Sequence, residues 1–72
     1  MTYIFLDESN KTYIAAYGED LYEIAIDLNL SEGRYLVYET SLMPDEITNP
    51  KKLLIQGKIK FITTLTRYNS GA

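Results

Sequence analysis

Two short runs of aromatic and β-branched residues, Thr2–Leu6 and Thr12–Tyr17, are separated by five polar residues, and this arrangement limits the possible folds most. Such side chains suit a pleated, half-buried surface, and Asp7-Glu8-Ser9-Asn10-Lys11 between them has the composition of a turn. The pattern predicts an N-terminal β-hairpin. If odd positions pair with odd, Ile4, Leu6, Ile14 and Ala16 share an aliphatic face. Tyr3, Phe5, Tyr13, Ala15 and Tyr17 then share an aromatic one. The turn residues do not fix that register, and a slip of one residue would mix the two sets.

Gly18 ends the hairpin. The stretch Glu19 to Leu30 satisfies two periods at once. As a helix it places Leu21, Ile24, Ala25 and Leu28 on one face and Glu19, Asp20, Glu23 and Asp27 opposite. As a strand, Tyr22, Ile24, Ile26, Leu28 and Leu30 alternate with polar or small residues. The acidic first turn, which suits the positive end of a helix dipole, and the length favour the helix. Ser31-Glu32-Gly33 breaks the element. Arg34–Thr40 reads as a third strand, with Leu36 and Tyr38 on one face and Tyr35, Val37 and Glu39 on the other. Ser41–Pro50, with two prolines, reads as a loop or a single helical turn. Lys51–Gln56 fits a short helix capped by Asn49, opened by Pro50 and closed by Gly57, and fits a strand equally. Lys58–Arg67 is the clearest strand of the second half. It is expected to place Ile59, Phe61, Thr63 and Leu65 on one face. Residues 68–72 read as a frayed tail.

These elements predict one small α+β domain spanning residues 1–72. It has an antiparallel sheet of three to five strands with one main helix packed on it. The expected core is Ile4, Leu6, Ile14, Leu21, Ile24, Ala25, Leu28, Leu36, Ile59, Phe61 and Leu65. An all-β meander or small barrel is the alternative, should Tyr22–Leu30 be a strand. A domain of this size buries only about 60% of its unfolded surface. The chain has neither Cys nor His, so neither a disulfide framework nor a zinc site can reinforce it. Self-association is a common remaining route to stability, and a homodimer is one expectation.

The same two absences remove iron–sulfur clusters, Cys nucleophiles and His-based triads. The four glycines are scattered, so no phosphate-binding loop is present. Asp7-Glu8, Glu19-Asp20 and Asp45-Glu46 are adjacent carboxylate pairs, and adjacent side chains diverge on helix and strand alike. No catalytic residue, cofactor or metal is expected. No apolar run approaches the length of a membrane span, and the cytoplasm is the default location.

Charge divides along the chain. Residues 1–46 carry all ten acids and only two bases, Lys11 and Arg34, a net −8. Residues 47–72 carry Lys51, Lys52, Lys58, Lys60 and Arg67 and no acid, a net +5. Either the two parts attract each other within the domain, or one of them faces a charged partner. Seven tyrosines against two phenylalanines and no Trp add amphipathic side chains that suit interfaces as well as sheets.

Together these features predict a non-enzymatic protein-binding module that inhibits or regulates a larger protein, including one that handles nucleic acid. Its candidate partner-binding residues are Glu19, Asp20, Glu23, Asp27, Tyr3, Tyr13 and Tyr17. In size and composition the chain is similar to the small inhibitor proteins encoded by phages and other mobile elements, nucleic-acid mimics among them, although no motif carries that similarity. The alternatives are a nucleic-acid-binding regulator using a basic surface of Lys51, Lys52, Lys58, Lys60 and Arg67, which the acidic net charge opposes, and a homo-oligomeric structural or accessory protein.

Overall fold

The hairpin forms, with odd positions paired to even ones. In a computed structural model describing residues 1–68, strand β1 (Thr2–Asp7) runs antiparallel to β2 (Thr12–Tyr17). Tyr3 lies opposite Ala16, Ile4 opposite Ala15, Phe5 opposite Ile14 and Leu6 opposite Tyr13. The turn sets this register. The Asp7 carboxylate accepts from the Ser9 N–H (3.0 Å), the Asn10 N–H (3.3 Å) and the Asn10 side-chain amide (2.9 Å). Lys11 takes a left-handed φ of 54°, so the loop closes on the Asp7–Thr12 pair. Tyr13, Ala15 and Tyr17 therefore join Ile4 and Leu6 on one face. Ile14 and Ala16 join Tyr3 and Phe5 on the other.

The chain continues through α1 (Leu21–Asp27), β3 (Gly33–Thr40), a 3₁₀ turn (Pro44–Glu46), α2 (Pro50–Ile55) and β4 (Lys60–Arg67). The four strands make one antiparallel sheet in the order β2-β1-β3-β4, and the fold is α+β. Helix α1 is shorter than the periodicity suggests. Asp20 caps it by accepting from the Tyr22 N–H at 2.9 Å, and Asn29 ends it at a left-handed φ of 51°. For α2 the capping residues decide between helix and strand. Asn49 accepts from the Lys52 N–H at 3.2 Å, Pro50 needs no donor in the first turn, and Gly57 turns the chain out at φ 73°.

Both faces of the sheet are covered, which rearranges the expected core. On one face, α1 sets Ile24 and Ala25 against Tyr3, Phe5, Tyr35 and Val37, with Leu30 closing the cluster. On the other, the segment between β3 and β4 sets Ile47 and Ile59 against Ile4 and Tyr38, with Leu53 beside them. A strand covered on both sides buries residues of both parities, so Tyr3, Phe5 and Ile4 are all buried. Of the expected core, Ile4, Ile24, Ala25 and Ile59 are buried, while Leu6, Leu21, Leu28, Leu36 and Leu65 are only half-buried. Ile14 and Phe61 are exposed.

Two local causes account for those last two. Ile14 sits on edge strand β2, beyond the cover of α1. Phe61 is displaced by a β-bulge, since Val37 opposes Thr63 whereas Tyr38 opposes Phe61 and leaves Ile62 as the extra residue. Phe61 meets Tyr38 edge-on, with ring centroids 5.6 Å apart, while Ile62 and Leu65 pack towards the α1 side. Of the expected tail, Tyr68 is exposed and residues 69–72 lie outside the described residues. Among the described residues, no helix is long and apolar enough to cross a membrane.

Candidate functional site

Helix α1 gathers the acidic candidates. Ile24 and Ala25 anchor it to the sheet, and Leu21 and Leu28 pack half-buried beside them. Gly18 lets the chain enter closely, because a Cβ there would lie 2.6 Å from Ile24 Cδ1. The Tyr3 hydroxyl, from within the core, donates to the Glu19 carbonyl at 3.4 Å. With the inner face fixed in this way, Glu23 and Asp27 project to solvent one turn apart. Glu19 lies just before the helix, and Asp20 is its cap. All four acids are exposed.

Two apolar side chains share this outer surface. Tyr22 is 57% exposed and Ile26 is 65% exposed, and they too are one turn apart. The result is an acidic ridge interleaved with two unpaired apolar residues. Sequence reasoning passed over Tyr22 and Ile26 as site residues. A helical wheel holds the signal, since neither falls on the Leu21, Ile24, Ala25, Leu28 stripe.

The tyrosine candidates separate. Tyr3 is buried under α1 and belongs to the core, because the covering helix takes its side of the sheet from the surface. Tyr13 and Tyr17 remain exposed on edge strand β2, and the Tyr13 hydroxyl donates to the Ile47 carbonyl at 3.0 Å.

The basic candidates are spread over three places. Lys51 and Lys52 open α2, and Lys58 lies in the turn before β4. Lys60 and Arg67 mark opposite ends of β4, about 23 Å apart at the rise of an extended strand. Lys60 stands directly across from Glu39, so its charge has an opposite neighbour on the sheet. Nor does charge divide cleanly between the faces, since Asp45 and Glu46 belong to the same inter-strand segment as Lys51 and Lys52.

A half-open cleft of about 620 Å³ lies between the hairpin tip and the start of α2. Leu6, Leu36, Tyr38 and Leu54 supply its apolar lining, and Glu8, Lys11 and Lys51 its charges. Its buried carboxylate, Asp7, is engaged by the three donors of the turn. Among the described residues, no group of three or more Asp and Glu side chains converges as a metal site would require. Comparison with protein-family models, with curated proteins and with solved structures finds no match for this chain.

Proposed function

We propose that this chain is a small, acidic, non-enzymatic protein-binding module that inhibits or regulates a larger protein through the outer face of α1. The observation that carries the reading is the joint exposure of Tyr22 and Ile26 within the Glu19, Asp20, Glu23, Asp27 surface. Carboxylates alone are ordinary on a solvated helix. Two large apolar residues held among them, on a helix anchored by its opposite face, offer what a protein interface uses. The apolar pair supplies desolvated contact and the acids supply orientation and a faster encounter with a basic surface. A groove that holds nucleic acid has such a surface, so a nucleic-acid-handling protein is the kind of partner this ridge suits. The scattered basic side chains give the nucleic-acid-binding alternative less support.

The experiment compares proteins captured from cells of the source organism by the native chain and by two variants. Glu23→Lys/Asp27→Lys reverses the ridge, and Tyr22→Ala/Ile26→Ser removes the apolar contact. Asp20 is kept because it caps the helix. Each variant should weaken the captured complex by about tenfold or more while leaving the circular dichroism spectrum unchanged. A partner retained equally by both variants would refute the assignment.

A further inference from the structure

The two edges of the sheet are unlike. Edge strand β4 carries Lys60 and Arg67 at its ends and a bulge within its pairing, devices that discourage a further strand. Edge strand β2, Thr-Tyr-Ile-Ala-Ala-Tyr, has no charge, proline, glycine or bulge. Ile14 is 43% exposed on one side of it and Tyr17 63% exposed on the other. Its main-chain groups have a known direction. The Gly18 N–H donates to the Met1 carbonyl at 3.0 Å. By the alternation of an antiparallel ladder, Ala16, Ile14 and Thr12 then also point their backbone groups at β1. Tyr13, Ala15 and Tyr17 point theirs outward, where, among the described residues, no strand follows in the sheet.

The geometry points to a second copy of this chain as the occupant of that edge, β2 against β2, joining two four-stranded sheets into one of eight strands. A two-fold axis that sets two such strands side by side keeps each sheet face on its own side. Residues can therefore oppose only residues of the same parity. With the axis at Ala15, Tyr13 lies opposite the second copy's Tyr17, and Ala15 opposite its own counterpart. All three outward-facing residues are then paired, with two hydrogen bonds to each pair. The side chains also agree. Small Ala15 sits at the axis, flanked on both sides by a Tyr13–Tyr17 contact, and Ile14 meets Ala16 on the other face.

Charge selects the same register. With the axis at Ala15, the turn residue Lys11, just before Thr12, comes to the same end of the seam as the second copy's Glu19, two residues past Tyr17. Each end of the seam thus brings together a base and an acid, both exposed in the single chain. Moving the axis to Ile14 leaves Lys11 facing Tyr17 and loses that match. The seam and the α1 ridge are different surfaces that share only Glu19 at their border.

Sedimentation of the full chain over a concentration series tests this. A dimer with a dissociation constant on the order of micromolar is expected, because a six-residue seam lies at the small end of specific interfaces. Ile14→Lys, at an exposed position, should weaken it by about tenfold or more. Lys11→Glu opposes like charges at both ends and should weaken it by about 3- to 10-fold. Lys11→Glu combined with Glu19→Lys should restore it, which depends on the register. Ala15→Cys introduces the chain's single thiol and should give a disulfide-linked dimer under mild oxidation. A monomer at every concentration, a dimer indifferent to Ile14→Lys, or a charge swap that fails to restore association would each overturn the proposal. None of these measurements involves the partner of α1, so the two readings fail separately.

Discussion

Thr2 and Thr40 are direct neighbours across β1 and β3, both almost fully buried, and they should answer the same substitution with opposite signs. The Thr40 hydroxyl donates to the Lys58 carbonyl at 2.9 Å and accepts from the Leu42 N–H at 3.1 Å. It ties the end of β3 to both ends of the segment that covers the second sheet face. Among the described residues the Thr2 hydroxyl, on a residue 1% exposed, has no hydrogen-bond partner. Valine keeps the β-branched shape in each place and exchanges hydroxyl for methyl. Thr40→Val removes two hydrogen bonds worth about 1 kcal/mol each, so it should cost about 2 kcal/mol. Thr2→Val removes a buried hydroxyl whose desolvation is uncompensated, and should return about 1 kcal/mol.

A domain of this length is expected to be stable by only about 4–11 kcal/mol, so both effects are measurable. They correspond to a fall in Tm of about 8–16 °C for Thr40→Val and a rise of about 4–8 °C for Thr2→Val. Urea unfolding followed by far-ultraviolet circular dichroism gives the two free energies directly, at protein concentrations held equal because dimerisation would add its own stabilisation. A Thr2→Val protein less stable than the native chain, or two shifts of the same sign, would refute the reasoning.

Two further substitutions probe how α1 is held. Asp20→Ala removes the N-cap and should destabilise the domain by about 1 kcal/mol, with amide exchange rising first in Leu21–Ile24. Gly18→Ala drives a Cβ into the Ile24 side chain, whose χ1 is already restricted in a helix, and should cost about 1–3 kcal/mol in urea unfolding. A Gly18→Ala protein as stable as the native chain would show that Ile24 moves aside without loss.

Much of this organisation is readable in the residues, and the places where it is not share a cause. The α+β class, the N-terminal hairpin and the helical reading of residues 21–27 follow from local pattern. The acids around Asp20 suit a helix start whatever surrounds them. Asn49, Pro50 and Gly57 spell out the ends of α2, although periodicity left helix and strand level. The acidic face of α1 could be drawn from a helical wheel, and the same wheel sets Tyr22 and Ile26 outside the buried stripe. The buried set was misread because the expected sheet had a single covered face. With one covered face, Ile4 and Leu6 go inward and Tyr3 stays outside as a surface tyrosine.

The amino-acid sequence by itself determined the four strands and the helical form of residues 21–27, because capping, turn chemistry and side-chain shape act over a few residues, and it left residues 51–56 open between helix and strand. The tertiary structure alone decided the bulge at Ile62, the burial of Tyr3 and the dispersal of Lys51, Lys52, Lys58, Lys60 and Arg67. Each of these depends on which distant segment lies across a strand or over a sheet face. That pairing is fixed by packing between residues far apart in the chain, for which no local spacing carries a record.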